Sequence, residues 1–387
     1  MTLPKKQLLN TSEAIALTIN RLNVGVVSAY PITPQTKIVE KLASLKDAGL
    51  GHYEFVRAES EFGAASVVLG ATATGVRAYT ATSSQGLLMM LEVLFNIAGL
   101  NLPVVMTCAN RSLSAPLNIW NDHSDAMTLR DAGWLMFFAE NCQEAVDQHV
   151  LAYKLAETLN IPAVINVDGF ILTHMSEPVS LPELALLKKF LPKPKASANH
   201  LNPAKPESLG HLVGPKDFFK FKQQQNQALA KAIKAISLEY QNYLKLDGRC
   251  SSATFDNGLV EFYGSLKAKT VIVAMGSVIG TIKAAVDEHN QKSKPADALA
   301  VLKVKSFRPF DSDSIRKLLG GKKVVVINKA ISAGSLPPLS LEIVASLNSS
   351  SSQIHHIVAG LGGQDIKTDD ILKLAKNKQA NQVIFLE

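Results

Sequence analysis

Two carboxylates, Glu59 and Glu61, stand at the start of a segment that is rich in alanine, valine and glycine. Apolar surroundings can move the pKa of a carboxyl group toward the working pH, which suits it to proton transfer. The apolar residues 62–65 follow Glu61 directly, whereas Glu59 lies two positions back and does not share a helix face with it. We therefore predict Glu61 as the acid–base group. A carboxylate that only neutralises the positive end of a helix would have the same pattern.

A cation and a hydroxyl occur at two similar positions. Arg111 follows the apolar run 103–107, and its planar guanidinium can bind a carboxylate through two hydrogen bonds. Thr33 lies in the turn 30–36, where its hydroxyl can donate to a keto or carboxylate oxygen. Simpler roles stay open for both, namely a surface arginine and a threonine that serves only the turn.

These residues lie where apolar runs give way to helical patterns. The runs 24–29, 53–56, 76–82 and 103–107 have the composition of strands that are buried on both faces. Their alternation with helical patterns predicts an α/β fold, a doubly wound and largely parallel sheet that ends near Phe170. Ligands of such sheets bind at the carboxyl ends of the strands. We therefore predict one site formed by three loops, which are residues 30–36, 59–65 and 80–86.

Other polar residues and the cysteines give weaker indications of a catalytic or metal site. His123 and Asp125 could suggest a metal site, but no second histidine is near them in the sequence, so we predict hydrogen bonding in a turn or cap. Cys108, Cys142 and Cys250 lack the spacing of a zinc or iron–sulfur site. The first two lie in apolar patterns that predict buried free thiols. We expect no metal site on this chain.

The composition changes near residue 176. Eleven lysines and three acids lie between Lys188 and Lys245, a net charge of +8, and Pro192, Pro194, Pro203 and Pro206 interrupt the segment 176–214. Without an arginine or aromatic stacking pattern, this charge indicates a solvated connector or a surface for an acidic partner rather than for nucleic acid. A polar helix is predicted over 217–243, and a second α/β unit begins near Lys269. The expected division is 1–175, 176–245 and 246–387.

The 387 residues are 47% hydrophobic, which is sufficient for more than one buried core. The longest apolar runs are far shorter than the ~20 residues of a membrane span. Residues 1–6 hold no apolar stretch of the signal-peptide kind. We expect a soluble cytoplasmic protein with no membrane or nucleic-acid contact.

The three loops together resemble the α chains of the thiamine-diphosphate-dependent 2-oxoacid:ferredoxin oxidoreductase family, in particular those that act on pyruvate. The similarity extends to Asn110-Arg111, to 118–125 and to 305–310, and so covers nearly the whole chain. It implies a pyrimidine-type thiamine diphosphate domain, then the basic connector, then a domain like the C-terminal domain of transketolase.

The resemblance also implies roles for single residues. Glu61 would activate the aminopyrimidine of the cofactor, Arg111 would bind the substrate carboxylate, and Thr33 would contact the substrate. The implied cofactor-binding residues are Tyr30, Pro31, Ile32, Glu61, Ser84 and Gln85.

One half of a thiamine site is missing from the sequence. The diphosphate and Mg²⁺ are usually held by a Gly-Asp-Gly stretch, but the Asp-Gly steps at Asp168 and Asp247 follow Val167 and Leu246. The resemblance implies that a β subunit supplies this half and the Mg²⁺. It places the [4Fe-4S] clusters on partner chains, among them ferredoxin-like γ and δ subunits.

The implied reaction converts pyruvate, coenzyme A and oxidised ferredoxin to acetyl-CoA, CO2 and reduced ferredoxin, reversibly. Two alternatives stay open. One is a sister enzyme for 2-oxoisovalerate or 2-oxoglutarate, and the other is a non-catalytic scaffold subunit. The presence of Thr33, Glu61 and Arg111 argues against the scaffold.

Overall fold

The computed structural model describes residues 6–192, 200–348, 350–377 and 382–386. In its first part the chain runs through β1 (Gln7–Asn10), α1 (Thr11–Arg21), β2 (Val26–Ala29), α2 (Thr36–Asp47), β3 (Glu54–Arg57), α3 (Glu61–Ala73), β4 (Ala78–Thr82), α4 (Ser84–Gly99), β5 (Val105–Asn110), α5 (Ser124–Thr128), β6 (Leu135–Phe138), α6 (Cys142–Leu159), β7 (Ala163–Asp168), α7 (Ile171–His174), β8 (Ser176–Val179), α8 (Leu184–Phe190) and α9 (Pro215–Asp247).

The second part continues with β9 (Phe255–Asp256), β10 (Val260–Tyr263), β11 (Thr270–Ala274), α10 (Val278–Lys292), β12 (Leu299–Val304), β13 (Ser306–Arg308), α11 (Ser312–Leu319), β14 (Lys323–Asn328), α12 (Pro338–Leu347), β15 (Gln353–Val358), α13 (Thr368–Lys376) and β16 (Val383–Phe385). Short 3-10 turns lie at Pro295–Asp297 and Leu361–Gly363.

The first large sheet has seven strands in the order β13-β6-β7-β5-β4-β2-β3 within the described residues. Strands β2 to β7 are parallel to their neighbours, and β13 pairs antiparallel with β6. The predicted doubly wound α/β fold is therefore confirmed. Because the strands are parallel, the loops after β2, β3, β4, β5 and β7 emerge at one edge.

Strand β5 shows why the sequences of these strands are continuously apolar. Met106 and Cys108 pack on one side with the helices α3 and α4, whereas Val105 and Ala109 pack on the other side with α1 and α6. Side chains alternate between the faces of a strand, and here both faces are covered. The burial of the Cys108 and Cys142 thiols, predicted from the sequence, is confirmed.

The second large sheet has the order β16-β15-β14-β11-β12-β10-β9. Its strands β11, β12, β14, β15 and β16 are parallel, while β10 and β9 form an antiparallel edge. Helices α10 and α13 cover one face, and α11 and α12 cover the other. The expected second α/β unit is present, and its first parallel strand, β11, begins at Thr270.

Strand β13 ties the two units together. Although it follows the second sheet's β12 in sequence, Ser306 pairs with Phe137 in the first sheet. Phe307 then packs against Phe138 with 6.3 Å between ring centroids, inside an apolar core that includes residues of both sheets. The predicted domain boundaries at residues 175 and 245 stay a prediction. The contacts described here join residues on opposite sides of these boundaries.

The segment expected to be a connector holds regular structure. Strand β8 pairs antiparallel with β1, and α8 buries Leu187 and Phe190 against the first unit. The polar helix predicted over 217–243 is longer and spans Pro215–Asp247. Residues 193–199 of the expected connector, which include a proline and two lysines, lie outside the described residues. No helix in the described part of the chain has both the length and the apolar character needed to cross a bilayer.

Two helices begin at residues with capping side chains. Asn10 caps α1, because its side-chain oxygen accepts the Glu13 amide at 2.9 Å. Ser60 caps α3 in the same way, since its hydroxyl accepts the Gly63 amide at 3.0 Å. Asn and Ser are both strongly favoured at this position.

A buried ion cluster also joins the units. Lys303 on β12 lies 2.7 Å from Glu140, 3.1 Å from Glu144 and 2.8 Å from Glu261, and its side chain is 4% exposed. Burial by itself would lower the pKa of Lys303, but these carboxylates outweigh it and raise the pKa above its usual value. Lys283 and Lys305 each contact two of these carboxylates, whereas Lys303 contacts all three.

Replacing Lys303 should consequently destabilise the junction of the two units. Lys303→Met keeps the stem length but leaves the carboxylates without their central cation, and breaking a buried pair in this way costs about 3–5 kcal/mol. The midpoint of urea unfolding measures the loss. Lys292→Met is the matched control, since Lys292 pairs with Glu288 on an exposed helix face, where a pair contributes at most about 0.5 kcal/mol. Equal shifts for the two variants would contradict a central role for Lys303.

Candidate active site

Glu61 is the first residue of α3, and the structure separates it from Glu59. The Glu61 side chain is buried, with 8% of the residue exposed. Glu59 is exposed, and its carboxylate accepts a hydrogen bond from the Ser60 hydroxyl at 3.1 Å. Of the two carboxylates, only Glu61 is therefore removed from solvent.

Polar atoms without partners lie at the end of β4, beside Glu61. The Thr82 and Ser83 hydroxyls are buried and have no hydrogen-bond partner among the described residues. Gly86 brings the start of α4 against the Glu61 side chain. Since buried polar groups normally find partners, a carboxylate beside orphaned hydroxyls fits the polar edge of a heteroaromatic ring such as an aminopyrimidine.

The turn after β2 is fixed to the neighbouring strand. Gln35 is fully buried, and its side-chain amide donates to the carbonyl of Ala81 on β4 at 2.7 Å. Tyr30, Pro31 and Thr33 remain exposed on the outside of this turn. The turn thus presents its predicted ligand-binding residues at the carboxyl edge of the sheet.

Arg111 follows β5 and reaches this turn. Its Nη1 donates to the carbonyl oxygen of Thr33 at 3.0 Å, and its Nε donates to the carbonyl of Asn118 at 3.1 Å. These contacts use two of the five N–H donors of a guanidinium. Although Arg111 is only 9% exposed, its cation is held beside Thr33, as a site for a 2-oxoacid requires.

Asp125 connects the loops after β4 and β5. One carboxylate oxygen accepts the backbone amides of Ser84 and Arg111, both at 3.0 Å, and the other accepts Asn110 Nδ2 at 2.9 Å and the Ala126 amide at 2.7 Å. Burial raises the pKa of Asp125, and these donors oppose the rise. The sequence predicted local hydrogen bonding in a turn or cap, but only the Ala126 contact is local, and the other three donors lie 14 to 41 residues away along the chain.

His123 is part of the boundary between the two units. Its Nε2 lies 2.7 Å from Asp168 at the end of β7, and Asp168 also contacts Lys329 at 2.9 Å and Ser277 on the second unit. Burial would raise the pKa of Asp168, but the charges of Lys329 and His123 hold it well below its usual value. The contribution of this carboxylate to stability is therefore full above about pH 4 and is lost as the pH falls further.

The second unit also supports the arginine loop. Asn118 donates to the carbonyl of Gly362 at 3.1 Å, and the Gly362 amide donates to Asp122 at 3.2 Å. The Gly363 amide donates to the Asn121 carbonyl at 2.8 Å. The loop that carries Arg111 is consequently held from both units.

The predicted residues therefore meet at one edge, with a chain of contacts from Thr33 through Arg111 and Asp125 to Ser84. The Ser84 hydroxyl is engaged within the protein, since it donates to the Ser112 carbonyl at 2.6 Å. The cofactor roles of Tyr30, Pro31, Ile32, Ser84 and Gln85 stay predictions. Sequence reasoning missed Gln35 and Lys329, and it weighed Asp168 only for a diphosphate motif. No local pattern marked them, because their partners are distant in sequence.

Comparisons with known proteins agree with this arrangement. Residues 18–241 match the family model described as pyruvate flavodoxin/ferredoxin oxidoreductase, thiamine diphosphate-binding. Residues 268–371 match pyruvate:ferredoxin oxidoreductase core domain II. The chain belongs to the pyruvate:ferredoxin oxidoreductase family. The resemblance stated from the sequence is thereby confirmed, and the first unit is the family's thiamine-diphosphate-binding domain.

Several relatives within this family match almost the whole chain. Pyruvate synthase subunit PorA of Methanosarcina barkeri is 41% identical over 385 residues, which cover 97% of this chain and 94% of the relative. The corresponding subunit of Methanocaldococcus jannaschii is 39% identical over 377 residues, 96% and 94% of the two chains. Ketoisovalerate oxidoreductase subunit VorA of Pyrococcus furiosus is 35% identical over 375 residues, 96% and 93% of the two chains.

A solved structure shares the fold. The 2-oxoglutarate:ferredoxin oxidoreductase from Magnetococcus marinus superposes with a TM-score of 0.72 at 19% identity. The match covers 96% of this chain but 65% of that chain. At this identity the likeness concerns the architecture alone.

The Asp125 network generates a sharp prediction. Asp125→Asn keeps the shape of the side chain. Both carboxylate oxygens of Asp125 accept hydrogen bonds from N–H groups. In either orientation of the asparagine amide, its NH2 group would therefore face N–H donors in place of an acceptor. Each buried donor left without an acceptor costs about 1–3 kcal/mol, and we expect a total loss of about 2–5 kcal/mol.

Urea unfolding of the variant measures this loss. Asp131→Asn is the control, because Asp131 is exposed and pairs with Arg130 at the surface. A shift of the Asp125→Asn midpoint no larger than that of the control would contradict the assigned role.

Proposed function

We propose that this chain is the α subunit of a pyruvate:ferredoxin oxidoreductase. The observation that carries the proposal is the meeting of Glu61, Arg111 and Thr33 at the carboxyl edge of a thiamine-diphosphate-binding domain. The similarity to subunits named pyruvate synthase supports the substrate. The proposed reaction is the oxidative decarboxylation of pyruvate with coenzyme A and ferredoxin, reversibly.

Glu61 is the proposed activator of the cofactor. When bound, thiamine diphosphate supplies a nucleophilic carbon and accepts the electrons that decarboxylation releases. Glu61 would hold a proton at the ring nitrogen N1′ of the aminopyrimidine, and its buried position supports proton sharing there. The residues of the turn after β2, Tyr30 to Ile32, together with Ser84 and Gln85, would line the ring.

Arg111 and Thr33 are the proposed substrate contacts. The guanidinium has N–H donors beyond the two that it gives to carbonyl oxygens, and these would bind the carboxylate that all 2-oxoacids share. Thr33 is exposed beside it, so its hydroxyl would face the keto group. This arrangement orients the acid and leaves the carbon chemistry to the cofactor.

The chain is proposed to work only with partners. Its sequence lacks Gly-Asp-Gly, so a β subunit would hold the diphosphate and Mg²⁺, and γ and δ subunits would carry the [4Fe-4S] clusters. The apolar residues Phe62 on α3 and Leu88 and Met89 on α4 are exposed and would form the contact with the β subunit. We also propose a cytoplasmic location and no nucleic-acid partner.

Purification of the assembled complex followed by a 2-oxoacid panel tests the proposal. Pyruvate, 2-oxoisovalerate and 2-oxoglutarate are supplied with coenzyme A and a viologen acceptor. We expect the highest kcat/KM with pyruvate. A preference for 2-oxoisovalerate would assign the chain to the enzymes that VorA represents, and no reduction with any acid by a complete complex would favour the scaffold.

Glu61→Gln should leave the complex intact and lower turnover by about a hundredfold or more, the usual scale of acid–base contributions. Exchange of the C2 proton of bound cofactor, followed by NMR after an acid quench, should slow in parallel. Glu59→Gln is the control, because Glu59 is exposed and should change turnover less than about threefold. Equal losses in both variants, or unchanged exchange in Glu61→Gln, would move the role away from Glu61.

Arg111→Ala should raise the Michaelis constant for pyruvate strongly, because truncating one partner of a buried charge pair costs about 2–5 kcal/mol. Lysine should restore only part, since it lacks the planar fork. Thr33→Val should lower kcat more than it raises the Michaelis constant if its contact strengthens in the transition state. A Michaelis constant within about twofold of wild type in Arg111→Ala would require another cation for the carboxylate.

A further inference from the structure

Gly86 occupies an unusually tight position. It is the third residue of α4, and a Cβ built on it would lie 2.5 Å from Thr82 Oγ1, 2.7 Å from Glu61 Oε1 and 2.9 Å from Glu61 Cγ. Real Cβ atoms essentially never come within 3.0 Å of such atoms. Because its φ angle is outside the left-handed range, the requirement for glycine here comes from close approach and not from the backbone.

Three other glycines lie in the same pair of helices. A Cβ on Gly70 in α3 or on Gly99 in α4 would have no neighbour within 4 Å. A Cβ on Gly63 in α3 would lie against the carboxylate of Glu59, but that side chain is exposed. Glycine within a helix is less favourable than alanine, because it loses more backbone freedom on folding. Among these four glycines, Gly86 is the one whose close contact involves a buried carboxylate.

The two walls around Gly86 differ in stiffness. Thr82 is a fully buried, β-branched residue at the end of β4, so its side chain has little freedom to rotate. The Glu61 carboxylate is the far end of a flexible chain. A methyl group at position 86 would therefore displace Glu61 rather than Thr82.

We propose that Gly86 is a positioning residue for Glu61, with Thr82 as the rigid wall behind it. The absence of a side chain at position 86 leaves the space in which the Glu61 carboxylate lies at the start of α4. Thr82 lies against the same point, so a methyl group at position 86 would contact both side chains. The inference rests on the proposed function, in which Glu61 holds a proton at the cofactor ring.

Gly86→Ala in the assembled complex tests the inference, with Gly70→Ala as the matched control. We expect C2-proton exchange of bound cofactor and kcat to fall about tenfold or more, part of the full acid–base contribution. The Michaelis constant for pyruvate should change less than about threefold, because Arg111 is untouched. Gly70→Ala should leave exchange and kcat at the wild-type level. Wild-type exchange in Gly86→Ala would overturn the proposal.

Two further measurements separate positioning from misfolding. Thermal unfolding of the isolated chain should show a cooperative transition for Gly86→Ala at a lowered midpoint, because Glu61 can move away but the close contact with Thr82 remains. In a Glu61→Gln background, Gly86→Ala should cost less than about threefold in exchange, because residues that act through one group are not additive. An equal cost in both backgrounds would overturn the proposal.

The same cycle distinguishes this inference from the proposed function. If Glu61→Gln itself left exchange unchanged, the proposed role of Glu61 would fail. Gly86 would then have no catalytic carboxylate to position. If Glu61→Gln abolished exchange while Gly86→Ala left it intact, the role of Glu61 would stand and only the positioning by Gly86 would be wrong.

Discussion

The buried carboxylate of Asp125 is the constraint on which the candidate site depends. A carboxylate offers only acceptors, and each of its oxygens here receives two N–H groups. Through one oxygen it fixes the start of α4, at Ser84, next to the backbone of Arg111. Burial makes the carboxylate costly to remove from its donors, so the two loops cannot separate without leaving several buried groups unpaired. The two loops are therefore held in one arrangement by the matching of these donors with the acceptors of Asp125.

The second unit makes the arginine loop rigid and covers the end of the first sheet. Asp168 ends a strand of the first sheet and pairs with Lys329 of the second, while Gly362 binds the loop at Asn118 and Asp122. A loop that carries a buried cation needs its carbonyl oxygens held in place, and here they are held from two directions. The second unit thus contributes geometry to the site.

Glu61 and Glu59 show how two equal side chains acquire different properties. Both stand at the start of α3, but one lies against α4 and the other lies in solvent on the Ser60 side. Only the first is removed from solvent. The closeness of Gly86 adds a steric condition, since the carboxylate can be buried there only while position 86 carries no side chain.

The sequence by itself determined the α/β class, the position of most strands and helices, and the three loops that form the site, because period and turn residues are local signals. It also singled out Glu61 over Glu59. Only the tertiary structure decided that β13 joins the first sheet, that Asp168 pairs with Lys329, and that Gly86 lies against Glu61. These contacts join residues far apart in the chain, so no local pattern encodes them and packing alone creates them.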